Sequence, residues 1–536
     1  MWRWLLALLP SVALAEASPP LEDLLPPPPG SPLALGAQDR EEFVEGELAS
    51  IGAIGLVPWR NRAGGVLGLD RLGEVFFLGL KPEVNYSRRL LDRPFSMTFA
   101  VPLRLKMLDA GALDRWAGAG LPRAKDWDEV RDYFQVIQNI TWGGKEKHFY
   151  LDINQFRAIS IGHGAIVRRY NQNLDMNMRR VSAELDAFTD YGGGEFFLDD
   201  ITGPRVLGGL AFVKPLSLLD RRNWMMRSFS IGFTFVSDLD APLRNRLDFG
   251  DVDHDGRRAN ELLIDQETFQ PRYVGMPVIA YGVDAEVKLW DSPNVDWKTY
   301  VDYSFLESGL PTDDAAALNF DAIPTRRVRS GGFTFGHLLR LNLGPDRLHA
   351  VRIRAEYRVY QPNYLPGYFD VAYQIGRVLY ASVRSSDPVA LANSTRLQKV
   401  LGRNPHGPLV HGGYIEASWR MSSFIALAVG LEMNTETPDN ALFVHVEVPE
   451  LHGWQLMATY HRRNARDFVD LFRWFQKDSD IFIARTRYQV IGPLAVALEA
   501  VTPFGYQAES FLRREVEVNL SVEFGWPYLG EAATRW

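Results

Sequence analysis

The 536-residue chain contains no cysteine. It therefore has no disulfide framework, no thiol nucleophile and no cysteine-ligated metal. Net charge is -8 and no run of Lys and Arg occurs, which argues against a nucleic-acid partner. Although 46% of the residues are hydrophobic, no segment approaches the roughly 18 continuous apolar residues of a membrane helix. Strands whose apolar residues alternate with polar ones escape that test, so a barrel in a membrane stays open as an interpretation.

The N-terminal region has two parts that do not resemble the rest of the chain. Residues 1–15 have Arg3, a short apolar run and Ala13-Leu14-Ala15, the pattern of a secretory signal peptide. Residues 16–48 are rich in proline, acidic and small residues, which predicts an extended periplasmic tail. We expect an exported protein, and a tail too short to plug an energy-coupled receptor.

Strict alternation of apolar and polar residues dominates the chain from residue 49 to 526. The segment Arg513 to Trp526 places Val516, Val518 and Leu520 on one face and charged residues on the other. The same pattern occurs near residues 95–107, 181–187, 229–235, 283–289, 351–359 and 442–448. In a soluble sheet each apolar face would need a covering layer. Helical patterns occur only near 109–135, 388–402 and 463–476, too few to cover so many strands.

A closed barrel in lipid removes this difficulty, because the bilayer covers the apolar face and closure removes the edges. The predicted fold is all-β: a large closed antiparallel transmembrane β-barrel of roughly 18–20 strands, with a few short loop helices and both termini periplasmic. Tight turns alternate with long polar loops, as in outer-membrane barrels. The alternation of short and long connections fails once. Counting back from a periplasmic C-terminus places both Gly344-Pro345-Asp346 and 385–407 on the external side of the membrane. One strand between about 347 and 408 is therefore missing or surplus in this count.

The signal peptide, the two-faced strands and the terminal Trp536 together resemble Gram-negative outer-membrane β-barrel proteins. The resemblance is to a class and covers most of the chain. It implies an outer-membrane location, contact with lipid and lipopolysaccharide, and insertion by the barrel-assembly machinery. Residues 527–536 depart from the pattern, because a C-terminal tail follows the last strand and does not alternate.

An acidic segment, Asp251-Val252-Asp253-His254-Asp255-Gly256, is the candidate metal site. Carboxylates at alternate positions before a glycine, here Asp251, Asp253 and Asp255, suit Ca²⁺. A full EF-hand loop would place Glu where Leu262 stands, with Glu261 beside it. The interpretations are a bound calcium ion that stiffens an external loop and a solvated acidic turn. No cofactor is required by either.

Residues 159–173 interrupt the strand pattern with Gly162-His163-Gly164, followed by Arg168-Arg169. Glycines within a strand mark a bulge, a bend or a close backbone approach. One interpretation is a lumen constriction in which His163, Arg168 and Arg169 touch a solute or a lipid phosphate. The favoured alternative is a barrel corner whose arginines pair with wall carboxylates.

Charged residues at alternate strand positions predict a charged lumen wall. The basic members are Arg352, Arg354, Arg358, Arg485 and Arg487; the acidic members are Glu515, Glu517, Glu523, Asp284 and Glu286. Opposed charges across a water-filled pore screen solutes by charge. The alternative is a structural network that stiffens the interior.

The predicted function is a porin-like channel or passive transporter of small solutes. The alternative is a plugged barrel that acts as a surface binding or structural protein through its external loops. A barrel-embedded hydrolase is a remote third possibility. No histidine is followed two positions later by serine, and Asp199-Asp200 and Asp313-Asp314 would point to opposite faces of a strand. We therefore expect no enzyme.

Overall fold

The computed structural model describes residues 62–527 with internal gaps. The gaps are 73–74, 111–113, 145–147, 156–158, 174–179, 221–222, 249–260, 264–270, 293, 313–324, 344–348, 381–389, 391, 422–424, 436–438, 474–479, 492–493 and 502–516. Residues 1–48, 251–256 and 528–536 thus lie outside the described part of the chain, together with the predictions made for them.

The described chain is mostly β-strand. The strands are β1 (Arg62–Leu72), β2 (Val75–Leu90), β3 (Arg93–Ala100), β4 (Leu103–Asp109), β5 (Ile137–Gly143), β6 (Tyr150–Asn154), β7 (Val167–Arg168), β8 (Ser182–Thr189), β9 (Gly192–Leu198), β10 (Val206–Val213), β11 (Ser230–Asn245), β12 (Leu247–Asp248), β13 (Glu261–Leu262), β14 (Tyr273–Asp291), β15 (Val295–Pro311), β16 (Thr325–Leu343), β17 (His349–Tyr360), β18 (Phe369–Asp370), β19 (Val410–Met421), β20 (Ile425–Asn434), β21 (Asn440–Leu451), β22 (Trp454–Ala465), β23 (Asp480–Ile491), β24 (Leu494–Val501) and β25 (Glu517–Pro527).

Helices are short and lie in the connections. The α-helices are Val130–Phe134, Trp224–Ser228, Tyr373–Gly376, Arg396–Leu401 and Phe468–Leu471, and the 3₁₀ turns are Ala124–Asp126 and Pro215–Leu218. Within the described residues, none of the helices has the length and apolar character needed to span a membrane.

Twenty strands close into one antiparallel barrel. Neighbours along the chain pair in turn, and β25 pairs with β1 to close the ring, with Pro527 opposite Arg62. β3 and β4 lie end to end along β2 and count as one strand. Pro102 lies in the break between them, where its missing N–H would interrupt a ladder. The predicted fold class is confirmed.

The connections differ in length between the two ends of the barrel. Tight turns such as 91–92, 190–191 and 452–453 lie at the end that holds both described chain ends, and long connections such as 110–136 and 361–409 lie at the opposite end. β17 pairs directly with β19, so only one barrel strand lies between residues 347 and 408. The sequence-based count held one strand too many there. β16 consequently ends, and β17 begins, at the same end of the barrel as the two described chain ends, so the external position predicted for Gly344-Pro345-Asp346 is not supported.

Strand faces follow the predicted alternation. On β17, Arg352, Arg354, Glu356 and Arg358 are buried in the lumen, whereas Tyr357 is 51% exposed on the outside. Outward aromatic and aliphatic side chains continue around the wall as an apolar belt; its larger members include Ile231, Phe233, Phe235, Val283, Tyr303, Phe333, Phe335, Ile415, Val429 and Leu498. Exposed apolar area on this scale indicates a surface that contacts something other than water.

The lumen is filled in its middle by two inward-folded segments, residues 159–173 and the described part of 361–409, which we call the plug. They join through a two-residue parallel pair between β7 and β18. Plug residues such as Ile161, Tyr368 and Leu397 pack against inward wall residues, including Val236 and Leu306, in one continuous buried cluster. Apolar burial therefore fixes the plug to the wall of β10, β11, β14 and β15.

Candidate functional site

Residues 159–173 form the first part of the plug. Gly162 and Gly164 have φ of 54° and 76°, a left-handed conformation that glycine adopts without strain. They turn the chain so that His163 projects toward the wall between them. An isolated antiparallel bridge between Ile159 and Tyr170 then brings the chain back. The sequence had indicated a bend here, and the structure places that bend inside the lumen rather than at a barrel corner.

His163 lies between two wall carboxylates. Its Nδ1 is 3.1 Å from Asp302 Oδ1 and its Nε2 is 3.0 Å from Glu286 Oε2. The ring stacks on Tyr300 at a centroid distance of 4.0 Å. Burial alone would lower the pKa of His163, but the charges of Asp302 and Glu286 outweigh it and raise the pKa to about 10. The imidazolium therefore pins the plug to β14 and β15, and we call this contact the histidine clamp.

The histidine clamp also has the residue types of a cation site. Asp284 lies directly opposite Asp302 on the neighbouring strand. Ligand atoms of His163, Asp284 and Asp302 all lie within 4.8 Å of one another. Both ring nitrogens of His163 already face carboxylates, however, so its protonated ring supplies positive charge between them. The geometry is that of an ion-pair clamp.

Glu356 on β17 is the first of two carboxylates that join plug and wall. Arg168 Nη2 of the plug lies 3.2 Å from both of its oxygens. From the wall, Arg358 Nε donates to Oε2 at 2.8 Å and Tyr300 Oη donates to Oε1 at 2.6 Å. Arg354 donates to the carbonyl of His163 at 2.7 Å and so holds the plug backbone. All five groups are buried, which makes each ion pair strongly dependent on its partners.

Glu416 on β19 is the second such carboxylate. It accepts hydrogen bonds from Arg169 of the plug, from Arg352 of β17 and from the hydroxyl of Tyr414. The two consecutive plug arginines thus reach acids on neighbouring strands. This is the contact that the favoured sequence interpretation expected of Arg168 and Arg169. Whether these side chains also meet a solute stays a prediction.

The remaining predicted lumen charges lie apart from the plug contacts described above. Arg485 Nη2 and Arg487 Nε donate to the two oxygens of Glu523 at 2.5 and 2.6 Å. These residues belong to β23 and β25, which flank β24, so their charges are neutralised within one part of the wall. Glu515 lies outside the described residues, as does the side chain of Glu517. Screening of solutes by these groups remains a prediction.

Sequence reasoning missed the second plug segment. Tyr373 Oη donates to Asp238 at 2.7 Å, and Arg377 Nη1 lies 3.3 Å from the same carboxylate. Asn245 Nδ2 donates to the carbonyl of Val378 at 2.9 Å. Six aromatic residues between positions 360 and 380, without strict alternation, were the available signal. Such a segment suits burial on all sides better than a polar external loop.

A cavity of about 80 Å³ remains between the plug and the wall of β19–β22. Its lining combines basic, acidic and aromatic side chains: Arg168, Arg169, Arg463, His461, Asp370, Glu432, Asp439, Tyr380, Tyr414 and Phe443. We call it the plug cavity. The opposite side of the plug, at the histidine clamp, retains only about 10 Å³. Among the described residues, the roomier gap beside the plug is therefore at β19–β22.

A closed antiparallel barrel with an apolar belt outside and a charged, partly filled lumen has the architecture of outer-membrane β-barrel proteins. No protein-family model matches the chain, and no curated protein matches it. Among solved structures it is similar to OccK11 (OpdR) of Pseudomonas aeruginosa, with 10% identity over 87% of this chain and 96% of that one and a TM-score of 0.31. It is also similar to OccAB3 of Acinetobacter baumannii, with 8% identity over 87% and 98% and a TM-score of 0.28.

A third similar structure is Wzi of Escherichia coli, described as an outer-membrane carbohydrate-binding β-barrel involved in group 1 capsule assembly. The identity is 10% over 87% of this chain and 84% of that one, with a TM-score of 0.29. At these values the likenesses extend to barrel architecture and no further.

Proposed function

We propose that this protein is a selective channel or passive transporter for small solutes in the outer membrane of a Gram-negative bacterium. The apolar belt supports insertion, because a bilayer covers such a surface without further protein. On this proposal lipid and lipopolysaccharide surround the barrel, and the barrel-assembly machinery inserts it.

The plug cavity is the observation that carries the proposal. A barrel of this size encloses a lumen wide enough for an aqueous path unless loops fill it. Here the plug packs tightly against one side of the wall and leaves a cavity of about 80 Å³ against β19–β22, lined by charged and aromatic groups. Such a lining suits recognition of a small polar solute at a constriction rather than unselective diffusion.

The alternative is a permanently plugged barrel that acts through its external loops. The continuous apolar cluster between plug and wall favours it, since a well-packed interior resists opening. The two functions differ in one measurable property, the passage of ions and solutes through the purified protein.

Planar-bilayer recording of two proteins separates them. The first is the natural chain; in the second, residues 362–408 are replaced by a short Gly-Ser turn. Tyr360 and Val410 are directly paired across β17 and β19, so a tight turn can join them without disturbing the barrel. Heat-modifiable migration on a gel shows that each protein has folded.

We expect small, solute-dependent conductance steps for the natural chain and much larger steps for the plug-deleted one. A natural chain that is silent in bilayers and in liposome swelling, beside a conducting deletion variant, would establish the plugged alternative. The matched control shortens the connection that contains Phe468–Leu471. Leu471 packs on Tyr460, which faces away from the lumen, so this change should leave conductance unaltered.

A further inference from the structure

The plug cavity contains more positive charge than its acidic residues neutralise. Two of its three arginines have acidic partners outside the lining, because Arg168 is bound by Glu356 and Arg169 by Glu416. Each of its three carboxylates is likewise held by an arginine that does not line the cavity. These pairs are Asp370 with Arg396, Glu432 with Arg358, and Asp439 with Arg403.

Arg463 on β22 is the one arginine of the plug cavity that has no direct acidic partner among the described residues. Its side chain is buried, with only 5% of the residue exposed. The one hydrogen bond found for it joins Nη1 to the carbonyl oxygen of Ala372 at a long 3.4 Å, and its Nε has no hydrogen-bond partner. No carboxylate of the described residues lies within ion-pair distance of it. Asp370 attracts it only at longer range and is itself paired with Arg396. A buried guanidinium without a direct ion pair is unfavourable unless a bound anion compensates it.

His461 supplies a second buried polar group without a hydrogen-bond partner to the same cavity. It lies two residues before Arg463 on the same inward face of β22, and 8% of it is exposed. Its Nδ1 is buried without a hydrogen-bond partner. An imidazole N–H beside a guanidinium supplies the pair of donors that one carboxylate group accepts.

We propose that the plug cavity binds one small organic carboxylate, held by the guanidinium of Arg463 and oriented by His461. The planar guanidinium fork matches the two oxygens of a carboxylate. Aromatic and aliphatic lining from Tyr380, Phe443 and Val371 suits a short apolar portion of such a ligand. A small monoanion suits a site with one principal guanidinium donor, and about 80 Å³ holds roughly 5–8 water-sized groups.

This inference rests on the proposed function, because it assigns the class of solute recognised at the constriction. Binding is measured separately from transport, by isothermal titration of the full-length barrel in detergent micelles. The probe is propionate at constant chloride concentration, and chloride alone is titrated for comparison. Membrane conductance plays no part in this readout.

The decisive variants change Arg463 and its neighbour on the other face of the strand. Arg463→Gln removes the charge and should weaken propionate binding about tenfold or more, as expected for one charge-assisted contact. Arg463→Lys keeps the charge but loses the fork, so it should bind with reduced preference for propionate over chloride. Arg462→Lys is the matched control, because Arg462 is held by Asp470 and Asp480 instead, and it should bind as the natural chain does.

Propionate binding that survives Arg463→Gln unchanged, or a natural chain that binds chloride but not propionate, overturns the assignment. If Arg463→Gln does not fold, the comparison of Arg463→Lys with Arg462→Lys decides alone, and equal propionate affinities for these two refute the role of the fork. A barrel that conducts without binding propionate refutes this inference and leaves the proposed channel intact. A barrel that binds propionate without conducting refutes the proposed channel and leaves the carboxylate site intact.

Discussion

The histidine clamp makes the stability of the folded protein depend on pH in a defined direction. Burial opposes the charge on His163, yet Asp302 and Glu286 raise its pKa from the usual 6.5 to about 10. A group whose pKa is raised on folding stabilises the folded state fully below its unfolded pKa. That contribution declines as the pH rises from about 6.5 and is lost above about 10.

The substitution His163→Gln removes the charge and keeps a hydrogen-bonding side chain. At about 1.4 kcal/mol for each tenfold change in proton affinity, the pKa shift sets an upper limit of about 5 kcal/mol. Removing one partner of a buried ion pair costs about 3–5 kcal/mol. Lys298 lies 3.8 Å from Glu286 and compensates part of the loss, so we expect about 3 kcal/mol.

Urea unfolding in micelles, followed by heat-modifiable migration, measures this difference at pH 6 and again at pH 10. His411→Gln is the control, since His411 is exposed and its imidazole hydrogen-bonds only the hydroxyl of Tyr357 among described partners. His163→Gln should lower the free energy of unfolding at pH 6 and have little effect at pH 10. Equal free energies of unfolding for His163→Gln and the natural chain at pH 6, with equal protection of the plug from protease, would refute the histidine clamp.

Two further substitutions test how tightly the plug is held. A Cβ at Gly336 would meet the ring of Tyr300 at 2.4 Å, whereas one at Gly413 meets nothing nearer than 3.7 Å. Gly336→Ala should therefore displace Tyr300 and lower the free energy of unfolding by about 1–3 kcal/mol. A urea midpoint as high as that of Gly413→Ala contradicts the packing. Tyr373→Phe removes the donor to buried Asp238 and should cost about 1–3 kcal/mol; unchanged protease protection of the plug would show that this bond does not anchor it.

The alternation of apolar and polar residues along the strands was sufficient to predict most of the fold. On β17 every second residue from Arg352 to Arg358 is buried as predicted, because a strand presents successive side chains to opposite faces. The partner of each charge was not predictable in the same way. Arg352 and Arg358 are neutralised by Glu416 and Glu356 on adjacent wall positions, since buried charges take the nearest available counter-ion.

The plug lies beyond what local pattern can indicate. Asp284 and Glu286 were expected to face wall arginines, yet Glu286 binds His163 from a segment 123 positions earlier. A strand-by-strand interpretation has no means of recognising a connection that folds inward, so the strand count between about 347 and 408 was wrong by one. Arg463 was overlooked for a related reason: a missing counter-charge is evident only when all of its neighbours are known.

The parallel pair of β7 and β18 joins residues about two hundred positions apart, and the plug makes apolar contacts with β10, β11, β14 and β15, none of which is next to either plug segment in the sequence. Contacts of such long separation form after local hairpins do. We therefore expect the barrel to close before the plug is fully packed. A newly folded molecule would then be more permeable to small ions than the mature one until the plug settles.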